Sequence, residues 1–492
     1  MPDQAAYGSG GMVQVRNVLP APSGRGYLPF PSAVATDADL PGEPRGGIIA
    51  EVAGGSSYTY VGTQTAIYAR TNAGWSNVSK PGGYVLGPDD RWEFVQYQNK
   101  LIAVCGSAAP MQVNDVGGPA FKDLATSSRK PRAVHIGSIN GWPVLGHTFD
   151  DQDGEMPSRL WWPRLIQVPV IEDWDPNLST YAGYTGVLPQ AGDGDIVKII
   201  GGEVGIIVCE RAIYRMRFVG QGADIFEIDR IVRGRGAIAP GAVIDYGQVT
   251  YFIDRDGFYA FDGQSDPAPI GHGKVNDTLN RRMNAAAISS IVSAVVPETS
   301  VILFALPLDG AIRPNYVWAY APKENRFTEI ELAAADIRET AIPGISWDEE
   351  PWASRILDEA PWSSYIWDDP SLMGGGRVLT LMGYDGTVQY LSGIGMQALL
   401  ETEEGAPNEP MVSEVTEVRP VIEGAQGDVT VSVGSRNSIA DAVSWTPPSR
   451  LNRIGQATMR ARGVYVRARL NLPDGFKQAI GLSFDARDGG LA

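Results

Sequence analysis

Short strand-like segments recur in sets along most of this chain, and the repetition constrains the fold more than any other feature. Each set has three or four segments over roughly 40 to 60 residues, which is the spacing expected of propeller blades. One set cannot bury both of its faces alone, so successive sets must stack around an axis. The sequence therefore predicts an all-β fold, a β-propeller of about six to seven irregular blades with an additional small C-terminal β-domain. A series of β-sandwiches is the alternative.

The stretch from Gly201 to Gly263 shows the pattern most densely. Val204 to Cys209 is a continuous apolar run, which is typical of a strand buried on both faces. Residues 211–218 and 226–231 alternate between apolar and polar side chains, the period of a half-buried strand. Asp254 to Gly257 has the composition of a hairpin loop between two further strands. We interpret the stretch as the junction of two successive blades.

Composition shifts divide the chain into four parts. The boundaries are residues 1–47 for a Pro- and Gly-rich N-terminal arm, 48–400 for the propeller, 401–418 for an acidic linker and 419–492 for a C-terminal β-domain that completes or packs on the propeller. The arm is expected to be irregular, either extended against a neighbouring molecule or lying on the chain's own surface. Lys274 to Ile291 is the best helix candidate, with a cap at Asn276 and Asp277.

Residues 341–372 form a Trp- and Asp-rich insertion in the propeller. Seven acidic residues stand against one arginine, Arg355, between Ser346 and Pro370. The insertion contains four tryptophans whose rings need an apolar partner: Trp347, Trp352, Trp362 and Trp367. Docking on the chain's own propeller and contact with another subunit are equally consistent with the pattern.

The C-terminal β-domain is basic on one side. No acidic residue occurs from Ala442 to Pro473, although the whole chain has a net charge of -17. Four arginines follow the polar side of two strand-like runs: Arg460, Arg462, Arg467 and Arg469. We predict a bulge at Gly463, where the phase of the alternation changes. The arginines either form a solvated face or contact a negatively charged partner, such as the acidic part of a neighbouring copy.

Composition also limits the possible functions. A net charge of -17 argues against wrapping nucleic acid by neutralising its phosphates, but acidic walls would let a duplex pass without sticking. The same charge could simply keep the protein soluble. Cys105 and Cys209 each lie in an apolar run and are expected to be buried thiols, although pairing between them stays open. The N-terminus has no signal-peptide pattern, and no apolar run is long enough for a transmembrane helix.

Motifs of catalysis are scarce. The three histidines, His135, His147 and His272, lie in unrelated contexts, and neither a metal-ligand spacing nor a phosphate-binding glycine loop occurs. Asp254 to Phe258 has a passing likeness to the Asp-box hairpins of sialidase-like propellers. Such an enzyme would need an arginine cluster and a Tyr nucleophile, for which the candidates are Arg211, Arg233, Arg235 and Tyr214. Nothing in the sequence places them around one pocket, so the prediction is a protein without catalytic residues, metal or cofactor.

Several segments, in a fixed order, resemble a known family. They are Gly201 to Arg215, Ile228 to Gly236, Asp256 to Gly263, the repeated Trp-Asp units at 347–368, Gly383 to Gly386 and Val433 to Asn437. In this order the chain is similar to the tail nozzle, or hub, proteins of short-tailed bacteriophages, also called packaged-DNA-stabilisation or tail tubular B proteins. The likeness covers most of residues 15–490.

The resemblance implies a virion protein that is assembled in the host cytoplasm. It implies a homohexameric ring below the portal and adaptor, which closes the tail channel, retains packaged DNA and conducts double-stranded DNA at infection. Attachment of tail fibres or a needle to this ring stays open. The family has no catalytic residues to carry over. The alternative hypothesis is a glycan-binding or glycan-cleaving propeller, as in a receptor-binding tail protein, and a host propeller adaptor is a third.

Within this interpretation the basic corner at residues 233–236 crosses from one blade to the next. Arg233 and Arg235 are then predicted to serve packing or subunit contact. The same candidate role is assigned to the four insertion tryptophans and the four C-terminal arginines.

Overall fold

A computed structural model shows two β-domains built from one chain. It describes residues 11–36, 38–52, 55–124, 129–165, 169–176, 183–184, 192–220, 225–296, 298–341, 376–407, 411–424 and 428–488. Seven sets of four antiparallel strands follow one another in chain order; six of them are separate sheets and the other is part of a ten-stranded sheet. We call them blades 1 to 7. The all-β propeller with an additional β-domain is therefore confirmed, with seven blades.

The first four blades run from residue 47 to residue 233, and each has its strands in sequence order. Blade 1 consists of Gly47–Glu51, Ser57–Gly62, Ile67–Thr71 and Gly74–Asn77. Blade 2 consists of Glu93–Tyr97, Lys100–Val104, Gln112–Asp115 and Lys122–Asp123. Blade 3 consists of Arg132–Ile139, Trp142–Asp150, Gly154–Trp162 and Gly183–Tyr184, and a short hairpin of Arg164–Leu165 and Pro169–Val170 follows its third strand. Blade 4 consists of Ile196–Ile200, Val204–Cys209, Ala212–Phe218 and Phe226–Arg233.

The last three blades complete the ring. Blade 5 consists of Val243–Tyr246, Val249–Asp254, Gly257–Phe261 and Ala268–Pro269. Blade 6 consists of Val292–Val296, Val301–Leu306, Tyr316–Ala321 and Arg326–Ile330. Blade 7 consists of Asp336–Ala341, Arg377–Met382, Val388–Gly395 and, from the N-terminal segment, Pro31–Ala35. This last strand pairs antiparallel with the third, so a segment from near the start of the chain closes the ring.

Each blade packs face to face against the next through its own apolar cluster. Between blades 3 and 4 the cluster includes Ile207 and Cys209, and between blades 4 and 5 it includes Ile206 and Val208. These residues alternate along one strand, so that strand is buried on both faces, as its continuous apolar run predicts. A cluster around Val61 and Met382 joins blade 7 to blade 1. Every blade therefore has two packed neighbours, which is what a closed ring requires.

The second domain is a sandwich of two sheets. One sheet contains Met12–Arg16, Ala398–Thr402, Tyr465–Leu472, Thr430–Arg436, Ser444–Trp445 and Ser449–Arg450. The other contains Val18–Pro20, Tyr27–Pro29, Gln478–Asp488, Ser413–Glu423 and Ala457–Gly463. Apolar side chains from both sheets meet between them. The first sheet continues into blade 6, because Met12–Arg16 pairs in parallel with Arg326–Ile330.

Two of the predicted segment boundaries differ from the structure. The N-terminal arm contributes strands to both domains, because backbone groups of residues 12–35 find partners in the sandwich and in blade 7. The acidic stretch 401–418 is not wholly a linker, since Ala398–Thr402 and Ser413–Glu423 reach into it. The Trp- and Asp-rich insertion falls between the first two strands of blade 7, and residues 342–375 lie outside the described ranges.

The predicted helix is shorter than its apolar spacing suggests. An α-helix spans Asn276–Arg282 and a 3-10 helix spans Ala285–Ser290. Met283 adopts an extended conformation between them, and the Asn284 side chain caps the second helix by accepting from the Ala286 amide. Asn276 does not cap the first helix. Its side-chain oxygen accepts a hydrogen bond from the Phe258 amide in blade 5, at 3.2 Å, which anchors the helix to the propeller.

The predicted bulge at Gly463 is instead a crossing between sheets. Ala457–Gly463 belongs to one sheet of the sandwich and Tyr465–Leu472 to the other. A change of sheet reverses which side chains face the core, and this accounts for the change in phase. Cys105 and Cys209 are both buried and free, which confirms two separate thiols, and burial raises the pKa of each to about 12.

Candidate functional site

The first strands of the blades surround a cavity on the propeller axis. Its volume is about 780 Å³, within the range of small-ligand sites. Every blade contributes to the wall, through residues such as Ile49, Glu93, His135, Lys198, Ile244, Val295 and Asp336. Inner strands converge on the axis of a propeller, so their inward side chains are brought together from distant parts of the chain. We call this the axial cavity.

Glu93 of blade 2 lies at the centre of a charged cluster in the axial cavity. One oxygen, Oε1, accepts from Lys198 Nζ at 2.6 Å and from His135 Nδ1 at 3.2 Å. The other, Oε2, accepts from the Ile136 amide at 3.1 Å. Burial alone would raise the pKa of Glu93, but the facing Lys198 and His135 lower it to about 2. Glu93 is therefore a fixed anion with both oxygens occupied, and it is poorly suited to donate a proton at neutral pH.

A second carboxylate, Asp336 of blade 7, has a different environment. Its side chain is only 1% exposed. Oδ2 accepts from Arg338 Nε at 2.6 Å, whereas Oδ1 is buried and accepts no hydrogen bond from the described residues. Arg91 lies near this carboxylate. Burial lowers the pKa of Arg91, and the field of Asp336 opposes that change. Both residues line the axial cavity.

A smaller cavity of about 360 Å³ adjoins the first. Gly47, Glu93, Lys198 and Arg338 line both spaces. Charged groups of blades 2, 4 and 7 thus face both cavities. With a volume of about 780 Å³, the axial cavity has the size of a small-ligand site.

The basic corner between blades 4 and 5 has partners within the chain. Arg235 Nη1 contacts Asp256 at 2.6 Å and Asp254 at 3.3 Å, and its guanidinium lies 4.6 Å from the centre of the Tyr259 ring. Arg233 is exposed at the end of blade 4. The corner does lie between two blades, as predicted. Arg235 holds the blade 5 hairpin, while Arg233 stays a candidate for contact with another subunit.

The C-terminal arginines fall into two pairs. Arg469 Nη2 contacts Glu401 at 2.8 Å, Arg467 Nη1 contacts the same carboxylate at 3.1 Å, and both guanidinium groups lie over the ring of Trp445. The sequence predicts a negatively charged partner for these arginines. For Arg467 and Arg469, that partner is the acidic stretch of the same chain. Arg460 and Arg462 face solvent from the other sheet, and Arg460 is 87% exposed. Their role in subunit contact stays a prediction.

The four insertion tryptophans, Trp347, Trp352, Trp362 and Trp367, lie outside the described residues. The candidates for a sialidase-like site do not converge on the axial cavity. Tyr214 is buried in the cluster between blades 3 and 4, where its hydroxyl donates to Asp193 at 2.5 Å. Arg211 Nε donates to the Gly192 carbonyl at 2.5 Å. These contacts stabilise blade 4 and its entry loop.

Sequence reasoning missed the axial residues. Glu93, His135, Lys198, Asp336 and Arg338 each lie in the first strand of a blade. Each places a charged or titratable side chain in a strand-like run, at a different point of the strand from blade to blade. The signal in the sequence was a charge within the first strand of a set, because first strands are the ones that face the axis.

Within the part of the chain that the structure describes, no group of three or more His, Cys, Asp or Glu side chains is arranged to hold a metal ion. No helix in the same ranges is long and apolar enough to cross a membrane.

No protein-family model matches this sequence, and no curated protein matches it significantly. Among solved structures, the chain is similar to a protein named glycoside hydrolase, with 9% identity, a TM-score of 0.28, and coverage of 92% of this chain and 99% of the other. It is similar to the extracellular domain of a protein described as a hybrid two-component system from B. thetaiotaomicron, with 7% identity, a TM-score of 0.40, and coverage of 88% and 48%. A third is apo AztD from Citrobacter koseri, with 15% identity, a TM-score of 0.28, and coverage of 59% and 72%. Each of these three TM-scores is below 0.5, so the fold rests on the strand pairing described above.

Proposed function

We propose that this protein is a structural subunit of a short phage tail, the nozzle ring that closes the DNA channel and conducts DNA during ejection. The order of sequence segments that resembles the nozzle family motivates the proposal, and none of the three solved structures named above is a phage tail protein. The structural observation that supports it is the continuous sheet that joins propeller and sandwich. A subunit that resists the pressure of packaged DNA needs its domains to be firmly connected.

The connection is dense at residues 16 and 17. The Asn17 amide donates to the Glu329 carbonyl at 2.8 Å, and Asn17 Oδ1 accepts from the Glu331 amide at 2.8 Å. Asn17 Nδ2 donates to the Gln397 carbonyl at 3.0 Å, so one side chain bonds both domains. Arg16 Nη1 adds a contact to Glu331 at 2.6 Å. Asn17 has a φ of 57°, a left-handed conformation that Asn tolerates better than most residues.

In the proposed mechanism, DNA passes through the centre of a ring of six copies, outside the axis of any single propeller. The net charge of -17 on each copy repels the phosphates, so the duplex slides without becoming trapped. The adaptor and the portal-proximal ring are the proposed partners above this one.

Electron microscopy of the purified protein and of virions tests the proposal. We expect a hexameric ring at the end of the tail, with a central opening. A stable monomer that is absent from the virion would contradict the proposal. Arg460→Glu combined with Arg462→Glu is expected to disrupt the ring if that face is a subunit contact. Lys122→Glu is the control, because Lys122 is an exposed basic residue in the fourth strand of blade 2, in the propeller and not on this face of the sandwich.

A glycan-binding propeller is the second candidate, and the axial cavity favours it. The cavity has ligand-like volume, and one of its buried carboxylate oxygens has no donor among the described residues. We infer binding without turnover at Glu93, since a carboxyl group with a pKa of about 2 is fully ionised at neutral pH. A glycan array combined with a hydrolysis assay on host surface polysaccharide tests this candidate. The nozzle function requires neither a positive array spot nor hydrolysis.

A further inference from the structure

One long edge of the sandwich carries exposed arginines. The strand Ser449–Arg450 of one sheet and the strand Ala457–Gly463 of the other meet there, and Ser449 Oγ donates to the Thr458 carbonyl at 3.0 Å. Four arginines on these two strands and on the turn between them are exposed: Arg450, Arg453, Arg460 and Arg462. We call this surface the basic edge.

The basic edge has a surplus of positive charge. Glu414 and Glu417 lie on the strand that pairs with Ala457–Gly463, and both are only partly exposed. Glu414 Oε1 is 3.8 Å from Arg460 Nε, which is too long for a hydrogen bond, and Arg460 is 87% exposed. Four exposed guanidinium groups therefore stand beside two partly exposed carboxylates, in a chain whose net charge is -17.

A cleft of about 540 Å³ lies at the basic edge. Its wall includes Arg460 and Arg462 together with the half-buried Trp445. Asp441 lines the cleft as well, but its Oδ2 already accepts from the Ser438 amide at 2.9 Å. The cleft offers guanidinium groups and apolar surface side by side, so it suits a segment that carries both carboxylates and apolar side chains.

The chemistry of arginine restricts the class of partner. A guanidinium pairs with a carboxylate through two parallel hydrogen bonds and also stacks on aromatic rings, whereas a lysine ammonium is a point charge. All six cations between residues 442 and 473 are arginines. A partner that is rich in both carboxylates and tryptophans uses both properties. Double-stranded DNA offers only phosphates at its surface, and the net charge of -17 opposes its approach.

One segment of this chain has the composition of such a partner. The Trp- and Asp-rich insertion of blade 7, residues 342–375, contains seven acidic residues, one arginine and four tryptophans. It lies outside the described residues, and both of its ends, at Ala341 and Gly376, belong to blade 7. A loop of this length can extend about 55 Å from the blade. That reach is enough for contact with a neighbouring molecule.

We propose that the insertion of one copy, residues 342–375, binds the basic edge on the sandwich of the next copy. Carboxylates of the insertion pair with the arginines of the edge, and its tryptophan rings stack on the guanidinium groups. Each copy gives one surface and receives the other, so the contact is head-to-tail, and repetition around an axis closes it into a ring. The inference rests on the nozzle function and names the two surfaces that join its subunits.

An exchange of charge between two full-length variants tests the proposal. The edge variant carries four substitutions: Arg450→Glu, Arg453→Glu, Arg460→Glu and Arg462→Glu. The insertion variant also carries four: Asp348→Arg, Glu349→Arg, Glu350→Arg and Asp358→Arg. Each variant alone brings like charges together at the contact, so in sedimentation velocity each should be a monomer at a concentration at which the wild type is a hexamer. An equimolar mixture of the two should recover the hexamer, because each variant then meets the opposite charge on the other.

Lys122→Glu combined with Lys130→Glu is the control, because both lysines are exposed and lie outside the basic edge. This control should stay hexameric. Thermal unfolding checks that every variant is folded. If the edge variant does not fold, the insertion variant carries the test alone, since it should lose the hexamer in either case.

The outcomes separate this proposal from the nozzle function. A hexameric wild type with two variants that are also hexameric would overturn the proposal and leave the nozzle function standing. A mixture that stays monomeric would overturn it as well, because the two surfaces would then not meet between copies. Loss of duplex DNA binding in an edge variant that stays hexameric would assign the basic edge to nucleic acid instead. A monomeric wild type would contradict both the contact and the ring.

Discussion

The interior of the sandwich is filled by apolar side chains, whereas the axis of the propeller holds a cavity with charged side chains in its wall. In the sandwich, two sheets face each other over a cluster made of Val, Leu, Ile and Ala side chains with Phe476 and Tyr27. At the propeller axis, the inner strands face one another across a cavity whose wall mixes Glu, Asp, Lys, Arg and His with apolar side chains such as Ile49 and Val295. The apolar clusters of the propeller lie between its blades instead.

The difference indicates that the sandwich interior contributes stability, whereas the propeller axis leaves space in which a molecule can bind. Two flat sheets can interlock along their whole length, so an apolar interior is complete without a ligand. Blades diverge from an axis that their own side chains do not fill, so water or a ligand completes it. Charged residues in that space must be paired with each other or with something bound. Substitutions that remove side-chain volume should therefore destabilise the protein through the sandwich interior. Substitutions that remove a charge should destabilise it through the propeller axis.

Leu470→Ala in the sandwich should give the largest loss of stability. Leu470 is 2% exposed and belongs to the inter-sheet cluster. Removal of its side chain leaves a cavity, and such substitutions cost about 4 kcal/mol. Urea unfolding measures the loss. Ile454→Ala is the control, because Ile454 is 67% exposed and its truncation should change little. Equal effects of the two substitutions would contradict an apolar sandwich core.

Glu93→Gln at the axis should destabilise by about 3 kcal/mol, because it leaves Lys198 and His135 facing a neutral amide. Thermal and urea unfolding at neutral pH measure the effect. Glu339→Gln is the matched control: this carboxylate lines the same cavity, and its contact with Arg377 is longer, 3.6 Å. We expect less than about 1 kcal/mol for the control. If Glu339→Gln destabilised the protein as much as Glu93→Gln, the cluster of Glu93, Lys198 and His135 would contribute no more than an ordinary charged contact.

The two regions should also differ in their pH dependence. The pKa of Glu93 is lowered from 4.5 to about 2 in the folded protein. A lowered carboxyl pKa stabilises fully above the unfolded value, and the contribution is lost as the pH falls from about 5 towards 2. By about pH 3 the loss amounts to roughly 2 kcal/mol. Leu470→Ala should keep this acid sensitivity, whereas Glu93→Gln should reduce it. Parallel curves for wild type and Glu93→Gln would contradict the assignment.

Asp336→Asn should have a smaller effect on stability than Glu93→Gln, about 2 kcal/mol, because it leaves one cation, Arg338, facing a neutral amide instead of two. Only Oδ2 has a hydrogen-bonding partner among the described residues, and the Asn oxygen can still accept from Arg338. Unfolding of Asp336→Asn beside Glu93→Gln makes the comparison within one cavity. A loss as large as that of Glu93→Gln would show that Asp336 is a structural anion.

Much of the fold could be predicted from the sequence because strand patterns are local. The run Val204–Cys209 coincides with a strand buried on both faces, and the Asp254 to Gly257 turn joins two strands as predicted. The helix near residue 280 was too long in the prediction, because its apolar spacing continues across the extended Met283. The partners of the N-terminal arm could not be predicted, since Pro31–Ala35 pairs with a strand more than 350 residues away.

The sequence alone determined the class of fold, the short strands, the turns and the lack of a recognisable catalytic motif, because these follow from the order of side chains within about ten residues. Only the tertiary structure decided which charged groups meet. Lys198 and Glu93 are 105 residues apart and form one ion pair, and Glu401 turned out to be the partner of Arg467 and Arg469. Ring closure brings the first strand of every blade to one axis. Contacts of that kind depend on the closed geometry of the ring, which no local pattern contains.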